Sequence, residues 1–304
     1  MNKWGVAAAS AMCLCIAGQA TASAQDVPAE YQAVLKALGK GGDYKDAVLK
    51  VNIPRNDVRV TIGGRPAPTP FGFGGWIALT KGDGGHDVMM GDLVLTEDEV
   101  NPVMSAVLNS GLDVTALHNH FFWDSPRMYF MHVHGMGPAA ELASRIKPAI
   151  ELIDQAAKRA AASAPVAAPA PAATTAAFDH AAVAAIVGHA GEQTGPVFKI
   201  TIGRPDINLR EHGALINSRM GLNTWAAFAG SDTDAMVAGD VAMLDHEVTP
   251  VLKALRSNGL NAVALHHHMT GVSPTVIFVH YYGTGAAATL ARGVRAAVDV
   301  LGKR

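Results

Sequence analysis

Apolar and polar positions along the chain change period several times, and each change marks an element. Residues 51–62 and 76–80 read as strands, and residues 88–95 as another, rich in Val, Met and Leu. Thr96-Glu97-Asp98-Glu99 then has the capping-box pattern, opening an apolar-periodic helix that ends near Gly111. Residues 113–122 and 127–134 form a strand pair across a turn, Trp123 to Pro126. A final Ala-rich helix follows Gly137, with Pro148 expected to bend or interrupt it.

The same order returns in the second half of the chain. One fixed spacing carries Gly91-Asp92 to Gly239-Asp240, Glu99-Val100 to Glu247-Val248 and Ala116-Leu117-His118 to Ala264-Leu265-His266. It also carries Ser125-Pro126 to Ser273-Pro274, His132 to His280 and Gly135 to Gly283, while Arg55 and Asp57 match Arg204 and Asp206 at a spacing longer by one residue. An internal repeat of this density predicts two homologous units. The fold class expected is α+β, each unit an antiparallel sheet with two helices, the two packed as a pseudo-two-fold pair.

The units are expected over residues 25–158 and 178–304. Between them, residues 159–177 are rich in Ala, Pro and Thr and read as a semi-rigid linker. Residues 1–24 read as a signal peptide: Lys3 supplies a positive start, an apolar run follows, and Ala22-Ser23-Ala24 is a cleavage site. The apolar run is too short to span a bilayer comfortably, so the expected location is periplasmic or secreted. Cys13 and Cys15 lie within this segment and in no convincing lipobox, so the mature chain has no thiolate for a disulfide, a metal or a nucleophile.

Composition narrows the function. Of 304 residues 49% are hydrophobic and 16% charged, and the formal net charge is −2. With no basic stripe, nothing invites nucleic acid. The chemistry lies in the histidines. On a strand, residues two apart share a face, so His118 and His120 point together, as do His132 and His134. A hairpin centred on Pro126 pairs 118 with 134 and 120 with 132, with facing Cβ atoms about 4.5–5.5 Å apart. His266, His268 and His280 repeat the pattern, Tyr282 stands in place of His134, and His267 points the other way. An isolated His-x-His is often a buried polar pair satisfied by backbone or water. Two such sets in one frame point instead to a divalent transition metal, with Zn favoured and Cu, Ni or Fe acceptable to imidazole.

Acidic residues present in both halves are Asp92/Asp240 and Glu99/Glu247. Either pair could orient the rings or supply a ligand, and Glu99 and Glu247 are the candidates for a general base on metal-bound water. Glu99 also has an ordinary role as the third residue of a helix cap.

The stretches GDLVLTEDEVNPVMSAVLNSGLDVTALHNHFFWDSPRMYFMHVHGMG and GDVAMLDHEVTPVLKALRSNGLNAVALHHHMTGVSPTVIFVHYYGTG resemble the LppY/LpqO family. The resemblance covers both halves and implies tandem domains and a cell-envelope location, but no firm activity. The function expected is an exported protein with a His-rich metal site, a metal-dependent hydrolase or lyase on a small substrate. The alternatives are a non-catalytic protein that buffers, delivers or senses metal, and a structural protein with packed histidines.

Overall fold

The computed structural model describes residues 26–163 and 178–303. The expected signal peptide and residues 164–177 of the expected linker lie outside them. In the first repeat α1 (Ala29–Leu38) precedes β1 (Gly42–Lys45), β2 (Val48–Pro54), β3 (Val60–Ile62), β4 (Arg65–Ala67), β5 (Gly74–Lys81) and β6 (Asp87–Thr96). Then come α2 (Glu97–Asn109), β7 (Asp113–His118), β8 (Asp124–Ser125), β9 (Met128–Gly137) and α3 (Ala139–Ser163). The second repeat runs α4 (His180–Val187), β10 (Gly191–Thr194), β11 (Val197–Gly203), β12 (Arg210–Glu211), β13 (Ala214–Leu215), β14 (Asn223–Gly230) and β15 (Ala235–Leu244). It closes with α5 (Asp245–Ser257), β16 (Asn261–His266), β17 (Val276–Gly285) and α6 (Ala287–Val298).

The fold is α+β in two repeats, and each repeat holds one six-stranded antiparallel sheet, ordered β1-β2-β5-β6-β9-β7 and β10-β11-β14-β15-β17-β16. Among the described residues each repeat has three α-helices where two were expected. The extra ones, α1 and α4, are short and pack on the C-terminal helix of their own repeat, burying Tyr31 and Val34, or Val183 and Val187. Helix α3 runs unbroken through Pro148 and past Arg159 to Ser163. A proline costs the helix one hydrogen bond; here Ile146, Ala149, Ile150 and Ile153, all buried on the sheet, hold the helix on both sides of it.

One face of each sheet is covered by that repeat's own helices, around Leu49, Ile77, Leu93 and Met131 in the first and Ile200, Phe228, Val241 and Val279 in the second. The other face meets the partner repeat. Val60, Ile62, Phe71 and Phe73, between β2 and β5, pack with Val197, Ala227 and Met236 of the second sheet. In return Ile207, Leu209, Ile216 and Leu222 pack with Val48, Ala78 and Met90 of the first. Each sheet is thus covered on both faces, which explains why β6 and β15 are apolar almost without alternation. Among the described residues no helix is long and apolar enough to cross a membrane.

Candidate metal centre

Strand register decides which side chains face the partner repeat. Asn52 pairs with Trp76, Trp76 with Asp92, Asp92 with His132 and His132 with Ala116, so these residues lie on one rung across the sheet. The second sheet repeats it with Thr201, Trp225, Asp240, His280 and Ala264. Neighbours on a rung share a face. Both rungs therefore present an aspartate and a histidine to the same space between the repeats.

The hairpin register differs from the expected one. His118 pairs with Phe130 and Ala116 with His132, with an irregularity between Val114 and Ala116. Strand β7 ends at His118, and the connection is longer than a tight turn because Asp124–Ser125 leaves to pair with β3. His120 consequently lies beyond the strand, and its ring stacks on Phe130. His268 does the same on Phe278. The four rings of one hairpin are not paired as the turn-centred register would place them: His118 lies 4.8 Å from His132 and 5.2 Å from His120 between centroids, while His134 turns to Glu211.

Instead, the rings of the two repeats meet. His118 Nε2 lies 3.2 Å from His280 Nε2. His118 stacks on His266 with centroids 3.9 Å apart, His120 lies 3.6 Å from His280, and His132 meets His268 edge-on at 4.1 Å. The ligand nitrogens of His118, His266 and His280 lie within 4.8 Å of one another, as do those of His132, His266 and His268. His266 belongs to both sets, which together hold five histidines, and His120 joins them through His280, so the six form one continuous cluster with contributions from both repeats, not a separate site in each. Asp240 reaches His268 at 3.4 Å and His266 and His280 at 3.8 Å, while Asp92 reaches His132 at 3.8 Å.

Two backbone contacts set ring orientation. His132 Nδ1 lies 3.0 Å from the carbonyl of His267, and His280 Nδ1 lies 3.2 Å from that of Gly239. A carbonyl only accepts, so each Nδ1 carries the proton and each Nε2 is left with its lone pair. This is the arrangement that prepares a histidine to bind a metal. Gly221 is needed nearby: its φ is +100°, and a Cβ there would come within 3.0 Å of His268 Nδ1.

Electrostatics favours neutral rings. Burial, then the crowding of the other imidazoles, pushes His118, His120 and His132 far below the usual histidine range. Burial likewise lowers His268 to about 4 and His280 to about 3, although Asp240 pulls both the other way. Burial and the charge of Asp240 raise Asp92 to about 8. Burial also opposes ionisation of Asp240, but His280, His266 and His268 outweigh it and keep this carboxyl ionised.

Buried polar atoms without a hydrogen-bond partner concentrate here. Among the described residues they are His118 Nδ1, both ring nitrogens of His120, His132 Nε2, His266 Nε2 and one oxygen each of Asp92 and Asp240; beyond the cluster only Asp124 Oδ1 and Arg219 Nε join them. Each such atom costs about 1–3 kcal/mol. Imidazole nitrogens and carboxylate oxygens converging on one space are a donor set that could hold a transition metal.

Three predicted site residues fall elsewhere. His134 is on the same face as His132, but its Nε2 is engaged by Glu211 at 2.9 Å, a partner from the other repeat that the sequence did not suggest. Its counterpart Tyr282 packs edge-on against Phe121. Glu99 and Glu247 do not approach the histidines. Glu99 takes two hydrogen bonds from Arg55 at 2.6 and 3.0 Å and one from the Thr96 backbone N–H at 2.8 Å, and Glu247 is held in the same way by Arg204 and Leu244. Both glutamates cap helices and neutralise buried arginines. His267 is exposed, as the alternation predicts.

A cavity of about 760 Å³ adjoins the cluster. His120, His268, His280, Asp92 and Asp240 line it, together with Trp76, Trp225, Lys50 and Lys199. Sequence reasoning missed the lysines and tryptophans, although Lys50 and Trp76 recur as Lys199 and Trp225 at the spacing that relates Arg55 to Arg204.

Fold and site together define a two-repeat α+β protein whose repeats share a histidine cluster. The model of the Domain of Unknown Function (DUF1259) matches residues 32–152 and again 181–300, and the chain belongs to that family. Two solved structures are similar. EtuB from Clostridium kluyveri has 11% identity over 86% of this chain and 87% of its own, with a TM-score of 0.20. A trimeric bacterial microcompartment shell protein, PduB, has 11% identity over 84% and 88%, with a TM-score of 0.21. At these scores neither likeness carries an argument. Among curated proteins no sequence matches this chain.

Proposed function

We propose that the chain is a transition-metal protein whose centre is built jointly by the two repeats from His118, His120, His132, His266, His268 and His280, with Asp92 and Asp240 beside them. The observation that carries this reading is the set of unpartnered lone pairs converging on one buried space. Zinc is the expected metal, since it accepts three or four imidazoles without a demanding geometry. Two tetrahedral bonds of about 2.0–2.1 Å hold their nitrogens about 3.3 Å apart, so triads within 4.8 Å need only a small closing movement. The matched contacts of the two rungs support a pseudo-two-fold pairing of the repeats. His132 then completes the set of His266 and His268, and His118 completes that of His266 and His280, so each triad joins the two repeats.

The adjoining cavity supports a catalytic use, a metal-dependent hydrolysis or elimination on a small substrate that enters beside His120, His268 and His280. Asp92, 3.8 Å from His132 and on the cavity wall, is the group placed to exchange a proton there. The second reading, a non-catalytic metal-holding protein, is favoured by the number of imidazoles, enough to saturate the ion. The signal-like residues 1–24 and the resemblance of both repeats to the LppY/LpqO family support an envelope location. The deciding experiment is elemental analysis of untagged protein. One or two equivalents of one transition metal per chain are expected. Protein that is metal-free and takes up no Zn, Cu, Ni or Fe removes both readings. Turnover that requires the metal then separates the first from the second.

A further inference from the structure

We infer that the cavity beside the histidine cluster binds a small oxyanion, a carboxylate or a phosphate, between Lys50 and Lys199. The two lysines are repeat counterparts on β2 and β11, and both line the same cavity. Lys50 Nζ sits 4.3 Å from the ring centre of Trp76, and Lys199 Nζ 4.4 Å from that of Trp225. These ring faces are the partners the structure gives the two ammonium groups; among the described residues no carboxylate lies within ion-pair distance of either.

Most charged groups around them are otherwise engaged, the exception being Glu192, which stands opposite Lys199 in the register of β10 and β11. Asp240 faces three histidines and Asp92 faces His132. Asp43 is taken by Arg219 at 2.6 Å. Glu192 lines the cavity from β10, the edge strand, and is exposed to solvent. Arg219 adds a third cationic donor, because its Nε is buried without a partner at the cavity wall. Two lysines on facing strands of the two repeats, Lys199 close enough to disfavour the charge of Lys50, and an arginine with a free N–H make a receptor whose missing component is negative. The tryptophan faces beside the lysines suit an anion with a flat or apolar body, and the volume admits a small molecule. A ligand seated there would have its far end at His120, His268 and His280.

The inference holds with or without a metal at the histidines, so its test uses both zinc-loaded and chelator-treated protein. Calorimetric titrations with succinate and with inorganic phosphate, at constant ionic strength set by choline chloride, are expected to give saturable binding of at least one anion. The tighter of the two names the class. Lys50→Met with Lys199→Met should weaken that binding at least ~10-fold, with zinc content unchanged, and Lys50→Arg with Lys199→Arg should restore it. Should the methionine pair fail to fold, Lys199→Met alone carries the test, with a loss of at least ~3-fold expected. No binding of either anion in either form of the protein overturns the inference. So does binding that the methionine variants leave intact, since the metal or another surface would then be the receptor. Loss of anion binding in those variants of a protein that takes up no zinc would leave the anion site standing and remove only the metal reading.

Discussion

Replacing His132 by alanine removes a ring of the first repeat from a triad whose other members, His266 and His268, belong to the second. If each repeat built its own site, this change would spare the second repeat's metal. A shared cluster predicts that it does not. Losing an outer partner of a metal ligand already costs 10–100-fold in affinity, so losing a ligand should cost at least ~100-fold. With free zinc at ~1,000 times the wild-type Kd, the metal stabilises the fold by ~4 kcal/mol; a site ~100-fold weaker keeps ~1.4 kcal/mol. The difference of ~2.7 kcal/mol corresponds to ~5–11 °C at ~2–4 °C per kcal/mol. The assay is a zinc titration of chelator-treated protein followed by thermal melting, each variant compared with its own metal-free form so that the cavity left by the alanine cancels. His134→Ala is the control on the same strand face. It breaks the contact with Glu211 and lowers the metal-free Tm, but should leave the zinc-induced gain intact. A zinc gain in His132→Ala equal to wild type would refute the shared centre.

Three further outcomes are expected. In the unfolded chain His268 and His280 titrate near pH ~6.5, whereas burial lowers them to about 4 and about 3 in the fold. The unfolded state therefore binds more protons at these rings as pH falls, and metal-free protein should lose stability from pH ~6.5 downward, the histidines outweighing the opposite contribution of Asp92, which is raised to about 8; urea melts that are unchanged between pH 7 and 5 would contradict this. Glu99→Ala strands the buried charge of Arg55 with Asp57 alone, and should cost ~3 kcal/mol, the low end for a broken buried pair, in urea unfolding while zinc per chain stays constant. A fall in zinc content would return Glu99 to the site. Gly221→Ala forces an alanine to φ +100° against His268 and should weaken zinc binding as well as stability; isothermal titration showing wild-type zinc affinity would count against His268 as a ligand.

Much of the site could be read from the chain, and its assembly could not. The recurrence of His-x-His and of the later histidine named six of the cluster's members, and alternation put His132 on the correct face and His267 outside. Alternation gives a face but not a distance, so it could not tell His132, opposite the partner's rings, from His134, one rung further along and opposite Glu211. Register failed for a tertiary reason: Ser125-Pro126 looks like the centre of a turn, yet Asp124–Ser125 is drawn away to β3 and lengthens the connection. The capping pattern at Glu99 was visible, and so was the recurrence of Arg55. Their pairing spans 44 residues and needed the fold. The lysines stayed hidden because a single Lys in an apolar strand reads as an exposed position, whereas here it opens onto a cavity that exists only once the second repeat is in place.

His134 and Tyr282 occupy the same position in the two repeats and do different work, one bound to Glu211 and the other set against Phe121. Asn119 and His267 differ likewise within the His-x-His stretches. Were the same centre formed by two identical subunits, each substitution would be imposed on both sides of it at once. Joining the halves in one polypeptide lifts that constraint. One flank of the centre is free to keep its histidines while the other is altered residue by residue.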